Sequence, residues 1–316
     1  MAHIARDVHM ELNNCRRVER DIIILDENNL LLKEKLGIEV NGIIGGSYFS
    51  NLVVKINYAR NRLTLYNPTK FKQKDKKFQE YPLEISSNKP YLTTTITTSD
   101  NSKLDVTLLL DTGAALPFLL HTNTDSSLTL PQNAAIANVG FGLSGVVKGY
   151  IGRTRKLSLG EYFFDNISTS YQDVLLEQEQ DFKVKRNGLI GNNLLRRFIV
   201  IIDYSKERLY LRASRKYNRA FNYDRSGLTI FAIGQNLNQY YVVSVIEGSP
   251  ASEAGIKPGD SIVKFGKRRT KNMKLQDISH RLSQKPDKRI KLTLERDGEQ
   301  MKVEFYLKDW FDKPVN

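Results

Sequence analysis

The sequence predicts a mostly β protein in which a duplicated lobe is followed by a smaller α+β domain. Three observations predict this: the supply of strand-forming residues, an internal repeat, and a change of pattern after about residue 213. Apolar residues make up 40% of the 316 positions, with 15 Tyr and 14 Phe. Short alternating runs of Val, Ile, Thr and aromatics are broken by Asn, Asp, Ser and Gly clusters, the pattern of half-buried strands joined by turns. The length allows two or three domains, each with its own core.

The repeat defines the first part. Residues 41–66, NGIIGGSYFSNLVVKINYARNRLTLY, align without a gap with residues 187–212, NGLIGNNLLRRFIVIIDYSKERLYLR, at an offset of 146 (187 minus 41). Asn41, Gly42, Ile44, Gly45, Val54, Ile56, Tyr58, Arg62, Leu63 and Leu65 each meet an identical residue. Each copy reads as an apolar strand ending in Gly, a short helical stretch, then two strands (Val53 to Tyr58 and Arg62 to Tyr66; Ile199 to Tyr204 and Arg208 to Leu211) joined by a turn. Two copies of this length predict two related lobes rather than a solenoid.

Composition narrows the function classes. The formal charge is +13, but the cations are scattered apart from Lys70, Lys72, Lys74, Lys76 and Lys77 in a linker-like stretch, so solvated surface is expected and no nucleic-acid partner. Cys15 is the single cysteine, so no intrachain disulfide forms. The four histidines show no paired spacing, and neither a metal site nor a cofactor is predicted. No apolar run approaches the roughly 20 residues of a membrane span. The stretch from Met1 to Asp7 is no signal peptide. If a front segment is missing, a secretory leader could have gone with it, so localisation is unknown and a periplasmic or secreted address stays open.

One turn carries chemistry. Lys103 to Leu110 is a strand pattern that runs into Asp111-Thr112-Gly113-Ala114. A carboxylate at the end of an apolar strand is costly unless donors meet it. Gly113 permits a close backbone approach with free amides, and Thr112 offers a hydroxyl to lock the turn. Downstream lie the glycine-rich Gly140-Phe141-Gly142-Leu143-Ser144-Gly145 and the later Leu189-Ile190-Gly191. In this order the features resemble the retropepsin-like aspartic proteases over about residues 84–212. The resemblance implies that Asp111 is a catalytic carboxylate, that Thr112, Gly113 and Ala114 support it, and that residues 140–145 belong to a flap over bound peptide. Gly140 to Gly145 also satisfies the dinucleotide pattern G-x-G-x-x-G, but a β-pattern follows where that motif needs a helix.

Such proteases use two carboxylates that share a proton across a water. The repeat offset would place the partner of Asp111 ahead of Met1. The first lobe is therefore expected to be incomplete, its Asp turn and flap lacking. Three explanations follow: a chain shortened from a two-lobed protein, a homodimer pairing Asp111 lobes across a two-fold axis, or a protein that binds peptides without cleaving them.

The last part reads differently. Ser226-Gly227-Leu228-Thr229-Ile230 leads into a strand, then Gly248-Ser249-Pro250-Ala251, Ala254-Gly255-Ile256 and Pro258-Gly259-Asp260 follow. Ser249 caps a helix with Pro250 in its first turn. Leu275, Ile278 and Leu282 mark one face of a second helix, and Arg296-Asp297-Gly298-Glu299 closes a hairpin. This series resembles PDZ domains attached to proteases. The resemblance implies peptide binding by strand addition at Gly227, Leu228, Thr229 and Ile230, whose amides would receive a terminal carboxylate; Thr229 replaces the second Gly of the common motif. The expected organisation is an incomplete first lobe (1–68), a Lys-rich linker (69–83), the Asp111 lobe (84–212), a linker (213–220) and the PDZ domain (221–310). The expected function is aspartic-type cleavage of protein or peptide substrates, with the PDZ domain recognising substrate or partner. The alternative is a catalytically incompetent peptide-binding protein.

Overall fold

The computed structural model describes residues 2–12, 18–26, 30–142, 145–173 and 183–309. Strands hold 48% of the residues and helices 11%, so the fold is mostly β. The chain divides into two compact units. The first holds Met1–Glu27, Ile43–Ala134 and Lys148–Phe221; the second holds Asn28–Gly42, Ala135–Val147 and Asn222–Asn316.

In the first unit β1 (Ala2–Met10) and β2 (Val18–Leu25) form a two-stranded antiparallel sheet. A five-stranded sheet then joins the two copies of the repeat. The hairpin β3 (Val53–Asn57) with β4 (Arg62–Tyr66) comes from the first copy, and β14 (Phe198–Asp203) with β15 (Arg208–Ala213) from the second. The order is β4-β3-β14-β15, with β5 (Gln79–Pro82) added beside β15. Strands β3 and β14 run antiparallel, and Lys55 pairs with Ile201. These two residues are separated by the repeat offset itself, so a local two-fold axis passes between them. Helix α2 (Gly46–Phe49) of the first copy corresponds in the same way to a helical turn at Asn192–Leu195 in the second.

The second copy is also part of a barrel. Its strands run β11 (Gly145–Leu159), β12 (Tyr162–Gln172), β9 (Phe118–His121), β13 (Gly188–Gly191), β8 (Lys103–Asp111) and β7 (Lys89–Thr97). Pairing of Lys156 and Leu157 with Thr97 and Ile96 closes the circuit, with β6 (Glu84–Ser86) at the margin; β10 (Ala135–Gly142) is a strand of the second unit. Ile96, Val106, Leu108, Phe118, Leu157, Ile167 and Ile190 fill the interior, which removes enough apolar surface from water to hold the barrel together.

Two stretches read as linkers are ordered instead. Gln79–Pro82 forms β5 because it finds the free edge of β15. Tyr217 stacks among Tyr162, Phe164 and Phe198, and Arg197 donates to the carbonyls of Lys216 and Ala220 while its guanidinium lies over Phe221. Aromatic residues in a polar setting turn the end of that stretch, Phe221 included, into part of the first unit.

The second unit is a sheet in the order β16-β17-β18-β20-β21. The strands are β16 (Leu228–Ile233), β17 (Gln239–Val245), β18 (Ser261–Phe265), β20 (Arg289–Arg296) and β21 (Glu299–Tyr306); the short β19 (Arg268–Arg269) pairs with β18. Its long helix, Leu275–Leu282, buries the predicted face of Leu275, Ile278 and Leu282. Ser249 Oγ accepts from the Ser252 amide at the start of the short helix Pro250–Glu253. Asp260, fully buried, is held by a two-pronged pair with Arg296 at 2.6 and 2.8 Å, the geometry in which a desolvated carboxylate is best compensated.

The glycines shared by the two copies are in unlike surroundings. A Cβ on Gly191 would lie 2.1 Å from the Leu116 carbonyl oxygen, and one on Gly188 would lie 2.0 Å from that of Leu119. A Cβ on the equivalent Gly45 or Gly42 would meet nothing within 4 Å. Gly191 and Gly45 share an ordinary backbone, with φ of −92° and −98°, so contact rather than conformation separates them. Gly191→Ala is therefore expected to cost about 3 kcal/mol or more by overpacking, whereas Gly45→Ala stays within about 0.5 kcal/mol. Urea unfolding of the two variants compares them directly.

Candidate functional site

The Asp111 turn begins with a strand that ends because its neighbour ends. In β8, Val106, Leu108 and Leu110 point into the barrel core, and β13 runs parallel alongside, Leu110 against Ile190 and Asp111 against Gly191. The chain leaving Asp111 is then stitched to the residues after β13. The Gly191 amide donates to the Pro117 carbonyl, Asn192 to that of Ala114, and the Asn193 side chain to that of Ala115. The absence of a side chain on Gly191 lets this loop pass so close.

Within the turn, the carboxylate of Asp111 is its own lock. Oδ1 accepts from the amides of Gly113 at 2.8 Å and Ala114 at 3.2 Å. Both bonds go to one oxygen; Oδ2 has no protein partner among the described residues. Asp111 is half-buried, and Thr112 and Gly113 are exposed. The turn is thus closed by the aspartate and two backbone amides, and the Thr112 hydroxyl, expected to lock it, stands in solvent.

Of the glycine-rich segment, Gly140 lies in β10, and the backbone of Phe141, Gly142 and Gly145 is strand. Leu143 and Ser144 lie outside the described residues. Strand begins again at Gly145, where a dinucleotide site needs a helix. Asp203, the other strand-end aspartate, closes its own turn, accepting from the amides of Ser205 and Lys206.

His121, at the end of β9, is 5% exposed, and its Nε2 has no hydrogen-bond partner among the described residues. Burial, aided by the positive charge of Arg186, pushes its pKa down to about 4. The folded form therefore resists a proton that the unfolded chain takes up near 6.5.

In the second unit, the loop before β16 is built around a residue the sequence reading passed over. The Oδ1 atom of Asp224 accepts from the amides of Ser226 at 3.0 Å, Gly227 at 2.7 Å and Leu228 at 3.3 Å, and from the Ser226 hydroxyl at 2.8 Å. Enclosure by the loop pushes its pKa up to about 6, against the pull of the Ser226 hydroxyl and of these amides. An Asp two to four residues ahead of a turn is the sequence signal for this arrangement. Gly227 adopts φ +81° and its open side abuts Ser249. Thr229 and Ile230 follow Leu228 in β16, with a bulge between them. The Thr229 hydroxyl accepts from the side-chain amide of Asn138 in β10, as does that of its cross-strand partner Ser244.

Two cavities lie elsewhere. One of about 900 Å³ is bordered by Lys55, Arg60, Lys77, Arg212 and Arg215, and one of about 540 Å³ by Lys264, Lys267, Lys291 and Lys302. Both are open and cationic, and neither contains Asp111 or Gly227. Among the described residues no cluster of His, Cys, Asp and Glu could hold a metal ion, and no helix is long and apolar enough to cross a membrane.

A family model described as a PDZ domain matches residues 241–296. That part of the chain is a PDZ domain. Among curated proteins, a probable CtpA-like serine protease of Staphylococcus saprophyticus is 32% identical over 90 residues, which are 27% of this chain and 18% of that protein. The chain thus spans less than a fifth of the length of this relative. Among solved structures, a retropepsin-like aspartic protease from Rickettsia conorii is 20% identical, covering 42% of this chain and 90% of that one with a TM-score of 0.31. A photosystem II D1 C-terminal processing protease is 24% identical over 29% of this chain and 24% of that one, with a TM-score of 0.25. Each of these likenesses is partial.

The His121 environment generates a pH effect. Its folded pKa lies below the unfolded value, so the stability it contributes is present above about pH 6.5 and is lost as pH falls toward 4. The full span is about 3 kcal/mol. Thermal unfolding across pH 7.5 to 4 should show this loss, and His121→Leu should flatten it.

Proposed function

We propose that this chain belongs to an aspartic-type peptidase in which Asp111 supplies one of the two carboxylates and the PDZ domain recognises a peptide of the substrate or of a partner. The observation that carries the reading is the state of Asp111. One oxygen is pinned by two amides of its own turn while the other is presented without a protein partner. A side chain held this way can accept a proton from a water or share one with a second carboxylate. The amides of Gly113 and Ala114 hold the turn, and residues 140–145 serve as a cover for bound peptide.

Hydrolysis by this route takes two acids. When carboxyl groups lie about 3 Å apart they cannot both ionise, so one acts as base toward water and the other donates to the carbonyl oxygen. The second acid would come from an Asp111 turn of another copy or from a second Asp-bearing turn. The curated relative is named a serine protease; the aspartic reading rests on Asp111 and its turn alone. A second reading, a peptide-binding protein without catalysis, is favoured by the presence of one Asp-Thr-Gly turn in the sequence.

The test is hydrolysis of a reduced, unfolded protein between about pH 4 and 7, with the chain as it stands and with Asp111→Ala. Cleavage lost in the variant, at unchanged thermal stability, is the expected result. Cleavage that persists in Asp111→Ala removes the role assigned to Asp111, and its absence from both proteins selects the binding reading for the isolated chain.

A further inference from the structure

The PDZ domain of this chain has its anion-accepting loop already filled, and this bears on what it can bind. The inference rests on reading the domain as a peptide binder and specifies the class of peptide. In a domain that captures chain ends, the amides at the start of the binding strand point at the terminal carboxylate. Here those of Gly227 and Leu228 donate to Asp224 Oδ1, together with the amide and hydroxyl of Ser226. A second carboxylate brought to this loop would have to replace Asp224 or lie beside it, and like charges at such distances oppose one another.

The other end of the groove carries an independent observation. Strand β16 is the edge of its sheet, and Ala232 near its end shares a core with Leu275, the first residue of the helix Leu275–Leu282. A turn of the same chain sits between these two residues. It follows the short helix α1 (Leu32–Leu36) and centres on Gly37, at φ +63°. A Cβ on Gly37 would lie 2.7 Å from Leu275 Cβ and 3.6 Å from Ala232 Cβ. The Gln276 side-chain amide donates to the Leu36 carbonyl. This occupant is an interior stretch of polypeptide that continues in both directions.

We propose that the groove between β16 and the helix Leu275–Leu282 takes an internal, extended segment of polypeptide, running past the Asp224–Leu228 loop, and does not select a chain end. The edge of β16 supplies main-chain pairing, and Leu275 at the start of the helix supplies an apolar contact beside it. Asp224 is the residue that sets this specificity, and the turn at Gly37 competes for the same groove.

The experiment uses the full chain at pH 7.5 and N-terminally fluorescein-labelled decapeptides of alternating apolar and polar residues. Each is made with a free terminal carboxylate, as the terminal amide, and extended by five residues beyond the tenth. Fluorescence anisotropy is expected to give dissociation constants for the three forms within about threefold of one another. A free acid that binds about tenfold or more tighter than its amide overturns the proposal while leaving peptide binding intact. Failure of all three forms to bind, in the chain and in Gly37→Val, overturns the peptide-binding reading itself. Gly37→Val, which cannot keep the turn in the groove, is expected to strengthen all three forms together.

Asp224→Ala, which frees the Gly227 and Leu228 amides, is expected to give the free acid about a tenfold advantage over the amide. Asp224→Asn retains an acceptor oxygen for the loop and should give a smaller advantage of the same sign, which serves if the alanine variant melts early. A folded Asp224 variant in which acid and amide still bind alike removes Asp224 from the role given to it.

Discussion

A carboxylate at the edge of an apolar core must be met by donors, and in this chain the donors come mainly from the backbone of the turn the carboxylate itself closes. Asp203 takes the amides of Ser205 and Lys206 and caps the hairpin that joins β14 to β15. Asp260 takes the Lys257 amide and, being wholly buried, requires the fixed fork of Arg296 as well. Leaving such a group unpaired would cost more than the turn is worth. Aspartates placed this way organise the chain around them, and the donors they leave unused decide what else can bind nearby.

The second organising relation is symmetry. Because Lys55 and Ile201 pair across β3 and β14 at the repeat offset, the two copies share one sheet about a local two-fold axis. Their other surroundings differ. Ile190 is 1% exposed within the barrel, and its counterpart Ile44 is 42% exposed; Leu209 is fully buried, and its counterpart Leu63 is 49% exposed. Gly191 is hemmed in by carbonyls and Gly45 stands in open space. Glycine and apolar residue types persist in the first copy at positions where, in this chain, no packing requires them.

What the sequence disclosed followed from local regularity. The repeat was visible because ten identities fall in one gapless window; the helix face of Leu275, Ile278 and Leu282 because a 3.6-residue period survives in eight residues; the Asp111 strand because alternation ends abruptly at a charge. The features that escaped depend on contacts between distant segments. Gln79–Pro82 looks like linker until β15 offers an edge, and Tyr217 looks like a solvated aromatic until Phe164 and Phe198 surround it. The turn at Gly37 lies more than two hundred positions from Leu275, and no local pattern joins them. Asp224 is the exception: its spacing from Ser226 and Gly227 is a local signal for an Asp-closed turn.

Asp111 and Asp224 show one rule with opposite outcomes. Each ends its approach at a turn and draws hydrogen bonds to Oδ1 from the residues that follow. At Asp111 two amides suffice, the turn stays at the surface, and the second oxygen remains available to water or to another acid. At Asp224 three amides and a hydroxyl converge, the loop folds over the carboxyl, and its affinity for a proton rises as its exposure to water falls. The first arrangement leaves one carboxylate oxygen without a protein donor among the described residues; the second engages the amides of Ser226, Gly227 and Leu228. The number of backbone amides each aspartate gathers thus separates a carboxylate with an open oxygen from one enclosed by its loop, although both begin with the same need to satisfy a charge at the margin of a core.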